Sequence, residues 1–299
     1  MKFLLLNSPI YWEPTVGKEK YLPPIGLGYI ATCLYESGID VEIIDCVKLR
    51  LGVNDIVKII EEKSPVYIGI NIFTQNCELV KYILENCHND STIFLGGQVV
   101  KSIYTDILEW EIASELVLII GEGELILPAI INNTCKDKPF YINGHKTVYV
   151  VNQDYSYFPS NLAKIPLNRK LLKDETLLNH YNLTEASIVT SRGCIYNCAF
   201  CGGARSLNRD MALRIRNPQD IIAELQEILE LYPDVNCIRV LDDLFLKNKT
   251  SVKNAIAIFN RFENLFWRGM AHVLSVIRSL DLLDILKNSG CKELFMGIE

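Results

Sequence analysis

The sequence lacks long apolar runs and an excess of positive charge. No apolar stretch approaches the ~18 residues of a membrane span, and the N-terminal MKFLLLNSP is too short for a signal-peptide core. Thirty Lys and Arg face 36 Asp and Glu, for a formal net charge of −6, which disfavours chain-wide attraction to nucleic acid or anionic membranes. We therefore expect a cytoplasmic protein with neither nucleic acid nor membrane among its partners.

Nothing in the sequence indicates export, so its ten cysteines are expected to be reduced. In a reducing compartment, clustered cysteines more often serve metal or redox chemistry than form disulfides. Seven are scattered among apolar neighbours and are expected to behave as small buried hydrophobes. The other three, Cys194, Cys198 and Cys201, lie close together and are the candidates for chemistry.

Residues 1–135 alternate short apolar runs with helical patterns, which is typical of a parallel sheet covered by helices. This α/β pattern predicts a doubly wound, Rossmann-like domain, with helices over 24–37 and 55–63. The expected strands are 2–6, 41–45, 67–72, 92–96 and 116–120. Ligands bind in the loops that follow such strands, where Gly96, Gly97, Gly121 and Gly123 would let backbone approach a bulky cofactor. The alternative is that each glycine only turns the chain.

A linker is expected over 136–185, with a hairpin at Asn143 and Gly144. Residues 186–299 then predict a partial (β/α) barrel. Its strands are expected at 186–190, 237–241, 271–275 and 293–298, and its helices at 218–231, 251–265 and 281–288. Because only about four strands are visible, we expect a barrel truncated at its C-terminal end, with an open edge.

The run SRGCIYNCAFCGG, residues 191–203, places three cysteines at spacings that let their thiolates converge. Structural zinc sites and ferredoxin clusters use four protein ligands, but the next cysteine, Cys237, is 36 residues beyond Cys201. Three thiolates would leave one iron of a 4Fe–4S cluster open to a small molecule. A zinc site completed by a distant residue is the alternative.

The spacing Cys-x3-Cys-x2-Cys, with Phe200 before the last cysteine, resembles the signature of the radical S-adenosylmethionine (SAM) superfamily. The resemblance implies a 4Fe–4S cluster held by Cys194, Cys198 and Cys201, with SAM chelating the open iron and being cleaved reductively. It also places Phe200 near the adenine of SAM and adds Gly202 to the cofactor site.

The order of further motifs resembles the subgroup of radical SAM enzymes that carries a cobalamin (B12)-binding domain. These motifs are PPIGLGYIA, IIDC, FLGGQ, IIGEGE, TSRGC, IRNP, RVLDDLF and GCKELFMGIE. The resemblance covers nearly the whole chain and implies cobalamin in the N-terminal domain. However, the loop after the first strand has no histidine, whereas classical cobalamin domains carry Asp-x-His-x-x-Gly there. Cobalamin bound without a lower histidine ligand is therefore expected, or else a sheet that has lost the cofactor.

Four further residues are candidates for cofactor binding. By resemblance, Asp242 and Asp243 face SAM or order its surroundings, although they could instead cap the next loop. Arg216 could contact a carboxylate or be a solvated side chain. Glu299 is similar to a family glutamate that contacts SAM.

The resemblance implies reductive cleavage of SAM for methyl transfer to, or rearrangement of, an unactivated carbon, with a reduced flavodoxin- or ferredoxin-type electron donor. One alternative is a methylthiotransferase-like enzyme with a second cluster in its N-terminal domain. The other is a truncated, non-catalytic cofactor-binding protein. A small-molecule or peptide substrate is expected, but its identity is not readable from the sequence.

Overall fold

The computed structural model describes residues 2–14, 22–173, 175–201 and 212–297. The chain divides into two compact units, one of residues 1–159 and 165–173 and the other of residues 160–164 and 174–299. The expected linker, residues 136–185, is therefore divided: residues 136–159 and 165–173 group with the first unit, and residues 160–164 and 174–185 group with the second. The domain limits at 135 and 185 stay predictions.

The first unit is built on a sheet with the strand order β2-β1-β3-β4-β5-β7-β6, parallel except for β6. Its strands are β1 Lys2–Asn7, β2 Asp40–Asp45, β3 Tyr67–Asn71, β4 Thr92–Gly96, β5 Leu116–Gly121, β6 Tyr141–Asn143 and β7 Lys146–Val151. Its helices are α1 Ile25–Glu36, α2 Val53–Lys63, α3 Cys77–Asn86, α4 Val100–Leu108 and α5 Ile126–Ile131, with 3₁₀ turns at Thr74–Asn76 and Arg169–Leu171. The five predicted strands and the doubly wound arrangement are confirmed.

Both faces of this sheet are buried. Along β1, Leu4 and Leu6 belong to one apolar cluster, and Phe3 and Leu5 belong to another. Successive side chains of a strand point to opposite faces, so helices cover the sheet on both sides, as in doubly wound folds. The expected hairpin forms at Gly144, whose φ is 58°. Its second strand, β7, pairs in parallel with β5, so the hairpin extends the sheet to seven strands.

The second unit contains a sheet of order β14-β13-β12-β9-β8, in which only β8 is antiparallel. Its strands are β8 Leu177–Leu178, β9 Thr184–Ile188, β12 Cys237–Val240, β13 Phe266–Met270 and β14 Cys291–Phe295, and a separate pair is formed by β10 Ser191–Arg192 and β11 Arg214–Ile215. Its helices are α6 Pro218–Leu231, α7 Lys249–Phe259, α8 Val273–Ile277 and α9 Leu283–Asn288, with 3₁₀ turns at Leu162–Lys164 and Leu280–Leu282. Four parallel strands with helices between them confirm the partial-barrel prediction.

One predicted strand of the second unit is wrong. The strand expected at 271–275 is in fact mostly helix α8, and the true strand β13 precedes it. The reason is local: the His272 side chain accepts a hydrogen bond from the backbone N–H of Leu274 (3.1 Å) and so starts a helix. Helix α7 correspondingly ends at Phe259, short of the predicted residue 265. By contrast, helix α6 has the predicted bounds, with Asn217 as its cap.

Candidate functional site

The three clustered cysteines follow β9, at the carboxyl end of the second unit's parallel strands, the end where (β/α) barrels carry their working groups. All three are free thiols, with Cys194 and Cys198 partly buried and Cys201 exposed. The backbone N–H of Tyr196 donates to the Sγ atom of Cys194 (3.5 Å). That of Cys201 donates to the carbonyl of Cys198 (3.1 Å). The chain thus turns back on itself between the cysteines, as a three-ligand loop requires.

Within the described ranges, no three His, Cys, Asp or Glu side chains are gathered closely enough to hold a single metal ion. Each thiolate of a cubane cluster binds a different iron atom, so its sulfur ligands stand farther apart than those of one ion. The donor chemistry of the loop, three reduced thiols of which one is exposed, fits a cluster with one iron left free of protein.

The start of this loop is fixed by Asp242, which lies just beyond β12. One carboxylate oxygen, Oδ1, accepts the backbone N–H groups of Thr190 (2.6 Å) and Ser191 (3.0 Å). The other, Oδ2, accepts both of their hydroxyl groups (2.6 Å each). Asp242 is only 3% exposed, and burial raises its pKa although these four hydrogen bonds oppose the rise. The carboxylate is fully used in anchoring the loop.

Asp243 and Lys247 extend this anchor. Asp243 is exposed and accepts the backbone N–H of Gly193 (3.0 Å). The buried ammonium group of Lys247 donates to the hydroxyl of Ser191 (2.9 Å). Burial lowers the pKa of Lys247, while the nearby charges of Asp242, Cys194 and Asp243 oppose that shift. The sequence did not single out Thr190, Ser191 or Lys247; the hydroxyl pair directly before the Arg-Gly-Cys run was the available signal.

A second contact holds the middle of the loop. The ring of Tyr196 stacks on that of His272, with 4.2 Å between centroids and 18° between planes. His272 is itself fixed as the cap of α8. The cysteine loop is therefore tied both to the end of β12 and to the segment after β13.

The remaining predicted SAM-site residues differ in their surroundings. Phe200 is 71% exposed, so its ring is available to a ligand. Arg216 is already engaged: its guanidinium forms an ion pair with Glu224 and donates to the carbonyl of Val189 (2.9 Å). Gly202 and Glu299 lie outside the described residues. A cofactor-binding role for these four stays a prediction.

In the first sheet β1 lies between β2 and β3, so the order of the strands reverses at β1. Open α/β sheets bind ligands at the carboxyl edge beside such a reversal. Polar side chains join the loops there. The Asn71 carboxamide donates to that of Asn7 (3.0 Å) and accepts the backbone N–H of Ser8 (2.7 Å). Asn76 donates to the hydroxyl of Ser8 (2.6 Å) and accepts the N–H of Phe73 (2.8 Å). These hydrogen bonds fix the loops in place and form a polar surface, here called the floor, made of Asn7, Ser8, Asn71 and Asn76. The sequence did not reveal this surface.

The predicted glycines at this edge have different local roles. A Cβ atom on Gly97 would lie 2.3 Å from the carbonyl oxygen of Ile72, and one on Gly121 would lie 2.0 Å from that of Val151. Both glycines also have positive φ, 129° and 110°, so backbone packing alone requires them. Gly123 packs near Leu127, whereas a Cβ on Gly96 would meet nothing within 4 Å. Of the four, Gly96 is the one with open space for a ligand.

The inner face of the second sheet carries a charged cluster that the sequence analysis missed. The Glu185 carboxylate, fully buried on β9, accepts two hydrogen bonds from Arg268 (2.5 and 3.1 Å). Arg268 also donates to Glu293 (2.6 Å). Burial lowers the pKa of Arg268, but its bonds to the two carboxylates outweigh this and leave the pKa raised. No single strand sequence shows this cluster, because each of its three members comes from a different strand.

Residues 18–131 match the B12 binding domain family. Among curated proteins, the chain is 27% identical over 288 residues to an uncharacterized methyltransferase of Pyrococcus horikoshii, covering 93% of the chain and 61% of the relative. It is 23% identical over 354 residues to cytidylyl-2-hydroxyethylphosphonate methyltransferase of Streptomyces wedmorensis, covering 100% and 65%. The chain thus spans less than two thirds of the length of these relatives.

Two solved structures share the fold across the chain. One is the cobalamin-dependent SAM radical enzyme OxsB with aqua-cobalamin bound, with a TM-score of 0.70 at 17% identity, covering 100% of this chain and 44% of that one. The other is the radical SAM methyltransferase TsrM from Kitasatospora setae with tryptophan and a SAM analog bound, with a TM-score of 0.69 at 16% identity, covering 99% and 59%. The resemblance noted in the sequence is confirmed: residues 18–131 match the B12 binding domain family, and the chain as a whole has the fold of cobalamin-dependent radical SAM enzymes.

Proposed function

We propose that this protein is a cobalamin-dependent radical SAM enzyme that cleaves SAM reductively for methyl transfer to, or rearrangement of, an unactivated carbon. The observation that carries the proposal is the cysteine loop: three free thiols lie at the carboxyl end of a parallel strand, and a buried carboxylate anchors the loop. A B12 binding domain precedes this loop in the same chain.

In this proposal Cys194, Cys198 and Cys201 would hold the 4Fe–4S cluster, which would supply an open coordination position for SAM and pass on one electron from the external donor for its cleavage. Asp242 keeps the first cysteine in place by fixing Thr190 and Ser191. Phe200, exposed between the last two cysteines, packs on the adenine ring. Gly202, Asp243, Arg216 and Glu299 belong to the surroundings of SAM.

Cobalamin would occupy the carboxyl edge of the first sheet, above the floor formed by Asn7, Ser8, Asn71 and Asn76. Two features fit a large, partly apolar ring system. Gly96 leaves open space, and the side chains of Ile10 and Phe73 are 45% and 43% exposed beside this floor. Exposed apolar side chains next to fixed polar loops are typical of ligand sites.

Both relatives described above are methyltransferases, which favours methyl transfer over rearrangement. The methylthiotransferase alternative requires cysteines that can hold a second cluster in the first unit. Cys46, which ends one of its strands, is completely buried, and burial raises its thiol pKa far above the ordinary range. In this packing the Cys46 thiol is not open to an incoming cluster. A reduced flavodoxin- or ferredoxin-type protein is the proposed electron donor.

Anaerobic reconstitution with iron and sulfide, followed by optical and EPR spectra with and without SAM and cobalamin, tests this function. We expect a cluster whose EPR signal SAM perturbs, corrinoid absorption that stays with the protein, and 5′-deoxyadenosine after reduction. The variant Cys201→Ala should lose all cluster-dependent signals, whereas Cys291→Ala, which changes a cysteine outside the loop, should keep them.

Zinc in place of iron and sulfide, or a fourth side chain on the cluster, would overturn the assignment. A protein that holds the cluster and binds SAM but never forms 5′-deoxyadenosine would favour the non-catalytic alternative.

A further inference from the structure

Strand register places a set of polar residues on the inner face of the second sheet. Arg239 on β12 is paired with Ser187 on β9 and with Arg268 on β13. The flanking residues of β12, Ile238 and Val240, point the other way and pack in the apolar core under the helices. Arg239 therefore faces the interior that the strands enclose.

The two neighbouring arginines differ in their hydrogen bonds. Arg268 is 4% exposed and directs its guanidinium to Glu185 and Glu293, as described above. Arg239 is partly buried, and within the described part of the chain it makes no hydrogen bond or ion pair. Its neighbour there is the Phe295 ring, whose centroid lies 5.4 Å from Cζ.

The Arg239 guanidinium has no hydrogen-bond acceptor among the described residues. Its five N–H donors are partly withdrawn from water, and burial lowers the Arg239 pKa, which means that the charged form is disfavoured there. The two carboxylates and two guanidinium groups of this face cancel in charge. Both carboxylates, however, are already hydrogen-bonded to Arg268, so the donors of Arg239 remain open for an incoming group.

We propose that Arg239 binds an oxyanion of the substrate, a carboxylate or a phosphate group, inside the barrel. The planar guanidinium fork matches such a group in a two-point contact, and the Phe295 ring packs beside both Arg239 and Arg268. Arg239 stands three residues before Asp242, on β12, the strand that ends next to the aspartate anchoring the cysteine loop. This inference rests on the proposed function for its substrate, but the site itself can be probed without any cofactor.

The test is arginine labelling of the full chain with phenylglyoxal, read residue by residue by peptide mass spectrometry. In chloride buffer Arg239 should be modified, and Arg268, its ion-paired neighbour, should serve as the unmodified internal control. Orthophosphate or acetate at matched ionic strength should slow the modification of Arg239 several-fold. The anion that protects better identifies the phosphate or the carboxylate as the favoured group.

Equal labelling rates in all three salts would overturn the proposal, as would an Arg239 that is not labelled at all. If SAM protects Arg239 in the cluster-loaded protein while neither small anion does, the residue belongs to the SAM site and the substrate assignment is lost. Failure of cluster formation or of SAM cleavage would refute the proposed function and leave these labelling results unchanged.

Thermal unfolding of two matched variants adds a second criterion. Arg239→Gln should unfold close to the wild-type midpoint because it breaks no internal bond. Arg268→Gln should unfold at a clearly lower temperature. A drop in Arg239→Gln as large as that in Arg268→Gln would show a structural ion-pair role and overturn the proposal.

Discussion

Removing the Asp242 side chain should release the start of the cysteine loop. In Asp242→Ala, the buried backbone N–H groups of Thr190 and Ser191 lose the oxygen that accepts them at 2.6 and 3.0 Å. An unsatisfied buried donor costs about 1–3 kcal/mol, so the two together cost about 2–6 kcal/mol. Since a domain is stabilised by about 5–15 kcal/mol, this is a large part of the stability of the second unit.

Asp242→Asn separates the hydrogen bonds from the charge. Its amide oxygen can still accept both backbone N–H groups, and the two hydroxyls can rotate to accept from its NH₂ group. We therefore expect Asp242→Asn to unfold much closer to wild type than Asp242→Ala. Asp243→Ala is the matched control, because it removes one bond from an exposed carboxylate.

Urea unfolding under anaerobic conditions measures the stability change, and iron and sulfide analysis after reconstitution measures the effect on the loop. Asp242→Ala should lose stability and cluster content together, while Asp243→Ala keeps most of both. The reasoning is refuted if Asp242→Ala is no less stable than Asp243→Ala. If Asp242→Asn fails as badly as Asp242→Ala, the charge rather than the accepted hydrogen bonds holds the loop.

Three further outcomes are expected. Because burial raises the Asp242 pKa, the folded protein binds this proton more readily than the unfolded chain. The free energy of unfolding should therefore fall as the pH rises from about 4 through the raised pKa. Urea titrations should show this slope as a pH-dependent difference in stability between wild type and Asp242→Asn. Arg268→Gln leaves the buried Glu185 carboxylate without its cationic partner, although the hydrogen bond from Asn179 remains, and should cost about 3–5 kcal/mol in the same assay. Burial raises the pKa of Cys237 to about 12, so only about one thiol in ten thousand is ionised at pH 8; iodoacetamide should modify exposed Cys201 and spare Cys237, and equal modification would contradict the buried placement.

Five of the seven strands of the first sheet could be predicted because each carries a run of mostly apolar residues, as strands covered on both faces do. The same rule misplaced a strand in the second unit. Strand β13 places Arg268 on its inner face and Gly269 beside it, so it has no continuous apolar run. The apolar stretch that follows was read as the strand instead. Arg268 and Gly269 together therefore obscured the strand that they belong to.

The cysteines could be recognised from sequence because their spacing is local, whereas the residues that position them are distant. Asp242 lies 52 positions from Thr190, and only the parallel pairing of β9 with β12 brings the ends of these strands together. Two adjacent aspartates at a strand end identify a site but do not show which one is buried. In the structure Asp242 is buried and anchors the loop, whereas Asp243 faces solvent.

The two faces of the second sheet explain how one unit can combine stability with a reactive interior. Side chains on the helix side, such as Trp267, which stacks on Phe259 at 4.9 Å, supply the apolar burial that holds the unit together. The interior of a (β/α) barrel is normally packed with branched apolar residues, yet here it holds Glu185, Arg239 and Arg268. Burying charges is costly even when they are paired, and stability alone does not require them. The proposed oxyanion site at Arg239 accounts for charges that stability does not require, and the apolar outer face offsets the free energy that their burial costs.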